Sequence, residues 1–322
     1  MKTKTEFYYS KILLFGEYSV IYNSMGLSIP YTHFRGGLSS MHNEKYTDLD
    51  YAQDSNKSLK EYLIYLHQLQ SSGELIFKMN LNALENDLNN GLYFESSIPQ
   101  GYGLGSSGAL VCSLYSKYAI DKIRSSRNLS SAQLLKLKRI FAQMESYFHG
   151  KSSGLDPLNC YIQYPLLIRG ENEISVVGIP RKNNGGSGIF LLNTNQIGKT
   201  EPLVNHFLER CENPDYKKRI EEELIPLNDL CIENTLDGNA EHLFENLVKL
   251  SRFEFDYLKP MIPNDSRAIW QHGLDTGLFT LKLCGSGGGG FLLGFTKDYT
   301  LARHELLKLK QEVITVYKNP VE

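Results

Sequence analysis

The segment Pro99-Gln-Gly-Tyr-Gly-Leu-Gly-Ser-Ser-Gly-Ala109 puts four glycines and two adjacent serines into one turn ahead of a run with helical spacing. Such a turn lets backbone N–H groups crowd around an anion, and a helix starting there adds the positive end of its dipole. Ser106 and Ser107 can offer hydroxyls to phosphate oxygens or to magnesium. The chemistry that fits is a cradle for nucleotide phosphates; a flexible loop without a ligand is the other reading that composition allows.

A second cluster, His149-Gly-Lys-Ser-Ser-Gly-Leu-Asp156, follows a long helix whose last turns contain Glu145. A carboxylate in such a loop can take a proton from an attacking hydroxyl while another holds magnesium, an ion that uses one or two carboxylates plus phosphate oxygens. Asp156 could also cap the next helix, with Pro157 in its first position, and the two roles are compatible. A third cluster, Gly285-Ser-Gly-Gly-Gly-Gly290, joins two apolar runs, and four glycines in a row exceed what a hairpin turn needs.

Gly103-Leu-Gly105-Ser-Ser-Gly108 also fits the G-x-G-x-x-G pattern of dinucleotide-binding oxidoreductases. That pattern needs an acidic residue about 20 positions on, at the end of a second strand. Asp121 is near by counting, but Ser116–Arg124 reads as a continuation of the helix and leaves no room for the strand. The G-x-x-x-x-G-K-[ST] phosphate signature is absent. The phosphate site is therefore of another design.

These clusters need elements to hold them. Lys11–Phe15 and Val20–Tyr22 read as two short strands around Gly16-Glu17-Tyr18, and Leu59–Leu69 as an amphipathic helix. Leu92–Ile98 reads as a strand and Ala109–Ala119 as a helix; Ser130 or Ser131 can cap a long helix to about Phe148. Beyond a flexible boundary at Asn183-Asn-Gly-Gly-Ser-Gly188 come a strand at Ile189–Leu192, helices between Pro202 and Gln271, and a hairpin of Phe279–Cys284 with Phe291–Thr296. A helix from about Leu301 and a strand at Val313–Tyr317 close the chain. Strands and helices without regular βαβ alternation make an α+β pattern.

With 322 residues, two domains can each bury a core. A hydrophobic content of 41% and a net charge of -2 give no electrostatic case for nucleic acid or an anionic membrane. No apolar run approaches the roughly 20 residues of a spanning helix, and the N-terminus fails as a signal peptide because Lys11 and Glu17 break it. Cys112, Cys160, Cys211, Cys231 and Cys284 are scattered without C-x-x-C spacing, so neither a disulfide framework nor a zinc site is indicated, and a reducing cytoplasm is expected. Lys217–Glu223 reads as a solvated helix face. His33, His42, His67, His206, His242, His272 and His304 lack ligand spacing.

Taken together, Lys11-Ile-Leu-Leu-Phe-Gly-Glu17, Pro-x-x-x-Gly-Leu-Gly-Ser-Ser from Pro99 to Ser107, His-Gly-x-x-Ser-Gly-x-Asp from His149 to Asp156, and Lys282 to Gly290 resemble the GHMP small-molecule kinases. Within that superfamily the chain is most similar to the mevalonate kinases. The resemblance implies a two-domain α+β fold: residues 1–186 as an N-terminal domain with a left-handed β-α-β unit of the ribosomal S5 domain 2 type, and 187–322 as a ferredoxin-like C-terminal domain.

It further implies ATP-dependent phosphorylation of a small alcohol, mevalonate to 5-phosphomevalonate in isoprenoid precursor synthesis, with ATP and Mg2+ and with a monomer or homodimer in the cytoplasm. Asp156 would be the catalytic base and Lys11 the cation beside the hydroxyl and the migrating phosphoryl group. Ser107 and Glu145 would hold the metal. Pro99, Gly101, Gly103, Leu104, Gly105, Ser106, Ser107 and Gly108 would hold the nucleotide, and Glu17, Tyr18, Thr194, Gly287 and Gly288 would lie at the substrate, with Gly287 to Gly290 closing over it from the second domain.

Three positions depart from the pattern. Tyr18 stands where mevalonate kinases commonly have histidine, and Gly-Glu-Tyr also occurs in phosphomevalonate kinases, which makes phosphomevalonate the alternative substrate. Ser152 replaces a proline and Gly108 an alanine. Asp156 argues against the homoserine-kinase-like branch, and Lys11, Glu145 and Asp156 together argue against a non-catalytic sensor on the same fold.

Overall fold

A computed structural model describes residues 6–42, 48–180, 185–198 and 200–319. The chain begins with β1 (Phe7–Phe15) and β2 (Met25–Ser40), followed by α1 (Leu49–Ser71), α2 (Leu81–Asn89) and β3 (Leu92–Ser96). Next come α3 (Ser106–Tyr118), α4 (Ser131–His149), α5 (Leu155–Ile162), β4 (Leu166–Arg169), β5 (Glu173–Val176) and β6 (Gly188–Asn193). A helical region follows, with α6 (Thr200–Arg210), α7 (Pro214–Arg219), α8 (Ile225–Asp237), α9 (Ala240–Tyr257) and α10 (Arg267–Thr276). The chain ends with β7 (Thr280–Leu283), β8 (Phe291–Thr296), α11 (Tyr299–Lys308) and β9 (Val313–Lys318).

Two compact units result, each discontinuous in sequence. Met1–Lys11, Pro30–Pro99 and Gly105–Tyr164 form the first; Ile12–Ile29, Gln100–Leu104 and Pro165–Glu322 form the second. This differs from a single cut near residue 186, because the first two strands and the turn after Pro99 each contribute to both units. Of the boundary segment foreseen at 183–188, Asn183 and Asn184 lie outside the described residues.

In the first unit, β2 pairs antiparallel with β3 from Gly36↔Ser96 to Ser40↔Leu92. Helix α1 starts on Asp48, whose side chain accepts the Tyr51 N–H, and buries Ala52, Leu59, Tyr62, Leu63 and Leu66 along one stripe. Ser130 caps α4 through a capping box with Gln133, and the helix buries Leu134, Leu137, Ile140, Phe141 and Met144. Helix α3 ends at Tyr118, earlier than its apolar pattern suggests; Asp121 takes a left-handed turn at φ 55° and no strand follows before α4. The exclusion of a dinucleotide fold stands, although the reason is a turn and not a continuing helix.

In the second unit, the start of β2 pairs with β4 from Met25↔Arg169 to Ser28↔Leu166, and β4 pairs with β5. A four-stranded antiparallel sheet has the order β7-β8-β6-β9. Its succession β6, helices, β7, β8, α11, β9 is the β-α-β-β-α-β order of ferredoxin-like domains. Phe190, Leu191, Trp270, Phe279, Leu281, Leu292 and Leu306 form its core, where the Trp270 indole donates to Ser251 Oγ at 2.8 Å. On α7 and the turn after it, Lys217–Glu221, Lys218–Glu222 and Arg219–Glu223 are exposed i,i+4 pairs at 3.7, 3.9 and 2.9 Å, the solvated face that the charge pattern indicates.

The expected strand at Val20–Tyr22 is instead a short 3-10 turn over Ser19–Tyr22. The β-branched and aromatic composition is overruled by local closure: the Ser19 N–H donates to Glu17 O at 2.7 Å and the Val20 N–H to Gly16 O at 3.2 Å. Tyr18 opens this turn at φ 61°.

Candidate active site

The first unit gathers the end of the glycine turn, from Gly105 on, and three charged side chains. Helix α3 opens at Ser106 on Gly105, which sits in the left-handed region at φ 80° and provides no side-chain cap. The amides of Ser106, Ser107 and Gly108 thus begin a helix without intrahelical acceptors, at its positive end. A Cβ on Gly105 would stand 3.1 Å from Lys11 Cγ and 3.3 Å from Cys160 Sγ, so the glycine lets this turn lie directly against Lys11. At Gly108 a Cβ would meet Pro157 N at 2.9 Å and the Asp156 carbonyl carbon at 3.1 Å. Helix α3 therefore lies on the backbone of the first turn of α5.

Helix α5 begins at Leu155, with Gly154 as its N-cap and no side-chain cap, so Asp156 is the second helical residue and is free of a capping role. Its Oδ1 instead lies 2.9 Å from Lys11 Nζ. The Lys11 side chain is 5% exposed and that of Asp156 43%, so a buried cation backs a carboxylate open to solvent. The pair sets a positive charge directly beside a carboxylate that solvent can reach.

Glu145, near the end of α4, is buried. Ser107 Oγ donates to its Oε1 at 2.8 Å and Ser152 Oγ to its Oε2 at 2.5 Å. Burial pushes the carboxyl up to about 7, Asp156 adds to the rise, and the two serines and Lys11 oppose it. Ser107 Oγ also lies 3.1 Å from His149 Nε2. Among the described residues no group of three or more His, Cys, Asp or Glu is arranged to hold a metal by itself. The Ser107–Glu145 pair nevertheless suits magnesium, because it supplies hard oxygen donors, a hydroxyl and a buried carboxylate, and leaves further positions for phosphate and water.

The second unit holds a different cluster. Lys282, on β7, is 1% exposed and donates to Glu17 Oε2 and to Leu283 O, each at 2.6 Å. Glu17 Oε1 accepts the Gly285 N–H at 3.3 Å, while Glu254 Oε2, from α9, accepts the Leu283 N–H at 2.7 Å. Burial drives Glu254 up to about 8; Lys282 opposes this and Glu17 adds to it. The structure thus places Glu17, expected at the substrate, with both carboxylate oxygens engaged at the base of the glycine loop.

Tyr18 donates its hydroxyl to Ser286 O at 2.6 Å and packs on Phe207 with ring centroids 4.7 Å apart. Thr194 donates through Oγ1 to Gly290 O at 2.8 Å. The Gly288 N–H donates to Met261 O and the Gly290 N–H to Gln196 O, both at 2.6 Å. A Cβ on Gly287 would stand 2.3 Å from Met261 O and one on Gly288 2.6 Å from a Leu203 methyl. Four consecutive glycines are required by this close packing, beyond any need of a hairpin. Gly101 accepts the Gly198 N–H at 3.1 Å, a Cβ on Gly103 would lie 3.1 Å from Cys284 O, and Leu104 is buried. Pro99 closes a segment of the first unit just after β3.

The residues of the first unit singled out by sequence, Lys11, Ser107, Glu145 and Asp156, come together. Sequence reasoning missed Ser152, the link from His149 to Ser107, and Glu254. Ser152 had a signal, since serine stands there in place of a proline; Glu254 had none beyond its place on the buried face of an amphipathic helix.

Residues 74–163 match the family model described as GHMP kinases N terminal domain. No curated protein matches the sequence. Among solved structures, the chain is similar to L. major mevalonate kinase in complex with R-mevalonate, with a TM-score of 0.64 and 18% identity over 99% of this chain and 98% of that one. It is similar to Streptococcus pneumoniae phosphomevalonate kinase in complex with phosphomevalonate and AMPPNP, with a TM-score of 0.62 and 16% identity over 98% of this chain and all (100%) of that one. It is also similar to Lactococcus lactis galactokinase complexed with galactose, with a TM-score of 0.62 and 14% identity over 99% and 95% of the two chains. The glycine turn and helix α3 lie inside the segment that matches this family model, and the chain has the two-domain fold of the GHMP kinase structures it is similar to.

Proposed function

We propose that the protein is a small-molecule kinase that transfers the γ-phosphoryl group of ATP to an alcohol, with mevalonate as the substrate. The observation that carries this reading is the 2.9 Å pair of buried Lys11 and open Asp156, held against the opening of the α3 turn. Phosphoryl transfer asks mainly for positioning and charge neutralisation, and this arrangement supplies both.

Asp156 accepts the proton of the substrate hydroxyl as its oxygen forms a bond to the γ-phosphorus and the bond to the β–γ bridging oxygen breaks. Lys11 stabilises charge on the transferring group from beneath Asp156. The opening amides of α3 receive phosphate oxygens. Ser107 and Glu145 would hold magnesium, which supplies charge neutralisation on the phosphates.

The choice of mevalonate rests on the His-Gly-x-x-Ser-Gly-x-Asp pattern from His149 to Asp156. Phosphomevalonate is the second reading, because Tyr18 departs from the mevalonate kinase pattern and its hydroxyl is committed to Ser286 O. ADP release with magnesium-ATP against mevalonate, phosphomevalonate, homoserine and galactose separates them. Turnover with mevalonate is expected; turnover with phosphomevalonate alone would transfer the assignment, and silence with every acceptor would contradict the kinase reading for these substrates.

A further inference from the structure

Ser152 lies in the loop between α4 and α5 and has no part in the mechanism above. Its hydroxyl donates to Glu145 Oε2 at 2.5 Å and accepts the Gly154 N–H at 3.0 Å, while its own N–H donates to Ser146 Oγ at 3.3 Å. On the other side of the carboxylate, the one hydroxyl proton of Ser107 is given to Oε1. His149 must therefore face the Ser107 oxygen with Nε2–H. The bonds form one directed chain, from His149 through Ser107 to Glu145 on one side and from Gly154 through Ser152 to Glu145 on the other.

The terminal torsion of a glutamate is broad and roughly two-fold, so a carboxylate held at one oxygen alone can swing. Glu145 is held at both. We propose that Ser152 is a positioning residue for phosphoryl transfer: it fixes the plane of the Glu145 carboxylate by holding Oε2, and so presents Oε1 beside Ser107 to the metal of the bound nucleotide. Hydrogen bonds behind a metal ligand are commonly worth 10- to 100-fold in metal affinity. The inference rests on the kinase reading above.

The test is Mn2+ uptake, followed by electron paramagnetic resonance, in protein mixed with a non-hydrolysable ATP analogue, with steady-state kinetics and thermal unfolding beside it. Ser152→Ala is expected to weaken Mn2+ uptake by roughly tenfold or more and to lower kcat with little change in the KM of the alcohol. Ser152→Thr, which keeps the hydroxyl, is expected to restore both. Ser146→Ala removes the neighbouring bond without touching Glu145 and is expected to bind Mn2+ as the wild type does. Should the alanine variant not fold, Ser152→Cys, close in size with a weak donor, gives the same readout.

Wild-type Mn2+ affinity in Ser152→Ala, an equal loss in Ser146→Ala, or no recovery with threonine would overturn the proposal while leaving the kinase reading intact. A wild-type protein that takes up no Mn2+ with the analogue and consumes no ATP with any acceptor would overturn that reading, and this inference with it.

Discussion

Lys11 illustrates how one buried side chain can organise a site. Its stem lies against Gly105 at the opening of α3, and its ammonium pairs with Asp156. Replacing it by methionine keeps the stem and removes the charge. Turnover of Lys11→Met is expected to fall by roughly 10²–10³-fold, the usual worth of a group that stabilises developing charge. Steady-state assays at saturating ATP check this, and a change of less than about threefold would remove Lys11 from the role. Gly154 is as restricted for a different reason: it sits at φ 73°, and a Cβ there would stand 2.1 Å from Lys138 O on α4. Gly154→Ala is expected to destabilise the fold by about 2 kcal/mol or more, read from urea unfolding, because strain and overlap act together. A loss under about 0.5 kcal/mol would show that α4 and the loop can separate freely.

At the scale of elements, the buried Glu17–Lys282–Glu254 group ties α9 to β7 and to the base of the glycine loop. Glu254 is pushed up to about 8 from an ordinary 4.5, chiefly by burial. Between those two pH values the folded protein holds a proton that the unfolded chain has released, so stability falls as pH rises through that window. Glu254→Gln keeps an acceptor for the Leu283 N–H and removes the titration. Its stability is therefore expected to fall less than that of the wild type between pH 5 and pH 8, measured by urea unfolding at both. Parallel losses in the two proteins would contradict the assignment.

The same elements show what the sequence could reveal. The Pro99–Ala109 turn was legible because glycine, serine and helical spacing are local signals. A cap at Ser130 or Ser131 and the solvated face at Lys217–Glu223 were legible for the same reason; the choice of Ser130 and its capping box with Gln133 come from the structure. Val20–Tyr22 has the composition of a strand, and composition cannot report that Gly16 O captures the Val20 N–H. Glu254 carries no signal in the sequence, since burial of its face depends on strands far along the chain. Ser152 shows in the sequence only as a serine in place of a proline, and the folded loop alone shows its hydroxyl on Glu145.

At the scale of the whole molecule, the chain passes repeatedly between two compact units. β1 and β2 contribute to both, and the glycine turn crosses from the second to the first between Leu104 and Gly105. Motifs that are contiguous in sequence are thus divided by the fold, whereas Lys11 and Asp156, distant in sequence, meet within one unit. Their resemblance to a kinase pattern suggested the pairing; composition and spacing alone did not. No helix among the described residues is long and apolar enough to cross a membrane.

In the proposed transfer Asp156 accepts the substrate proton. The most direct measurement is kcat of Asp156→Asn with magnesium-ATP and the accepted alcohol, alongside nucleotide affinity by calorimetry. A fall of roughly 10²–10⁴-fold with nucleotide binding retained is expected, because the amide keeps the size of the side chain and cannot take the proton. Turnover within a few-fold of the wild type would contradict it.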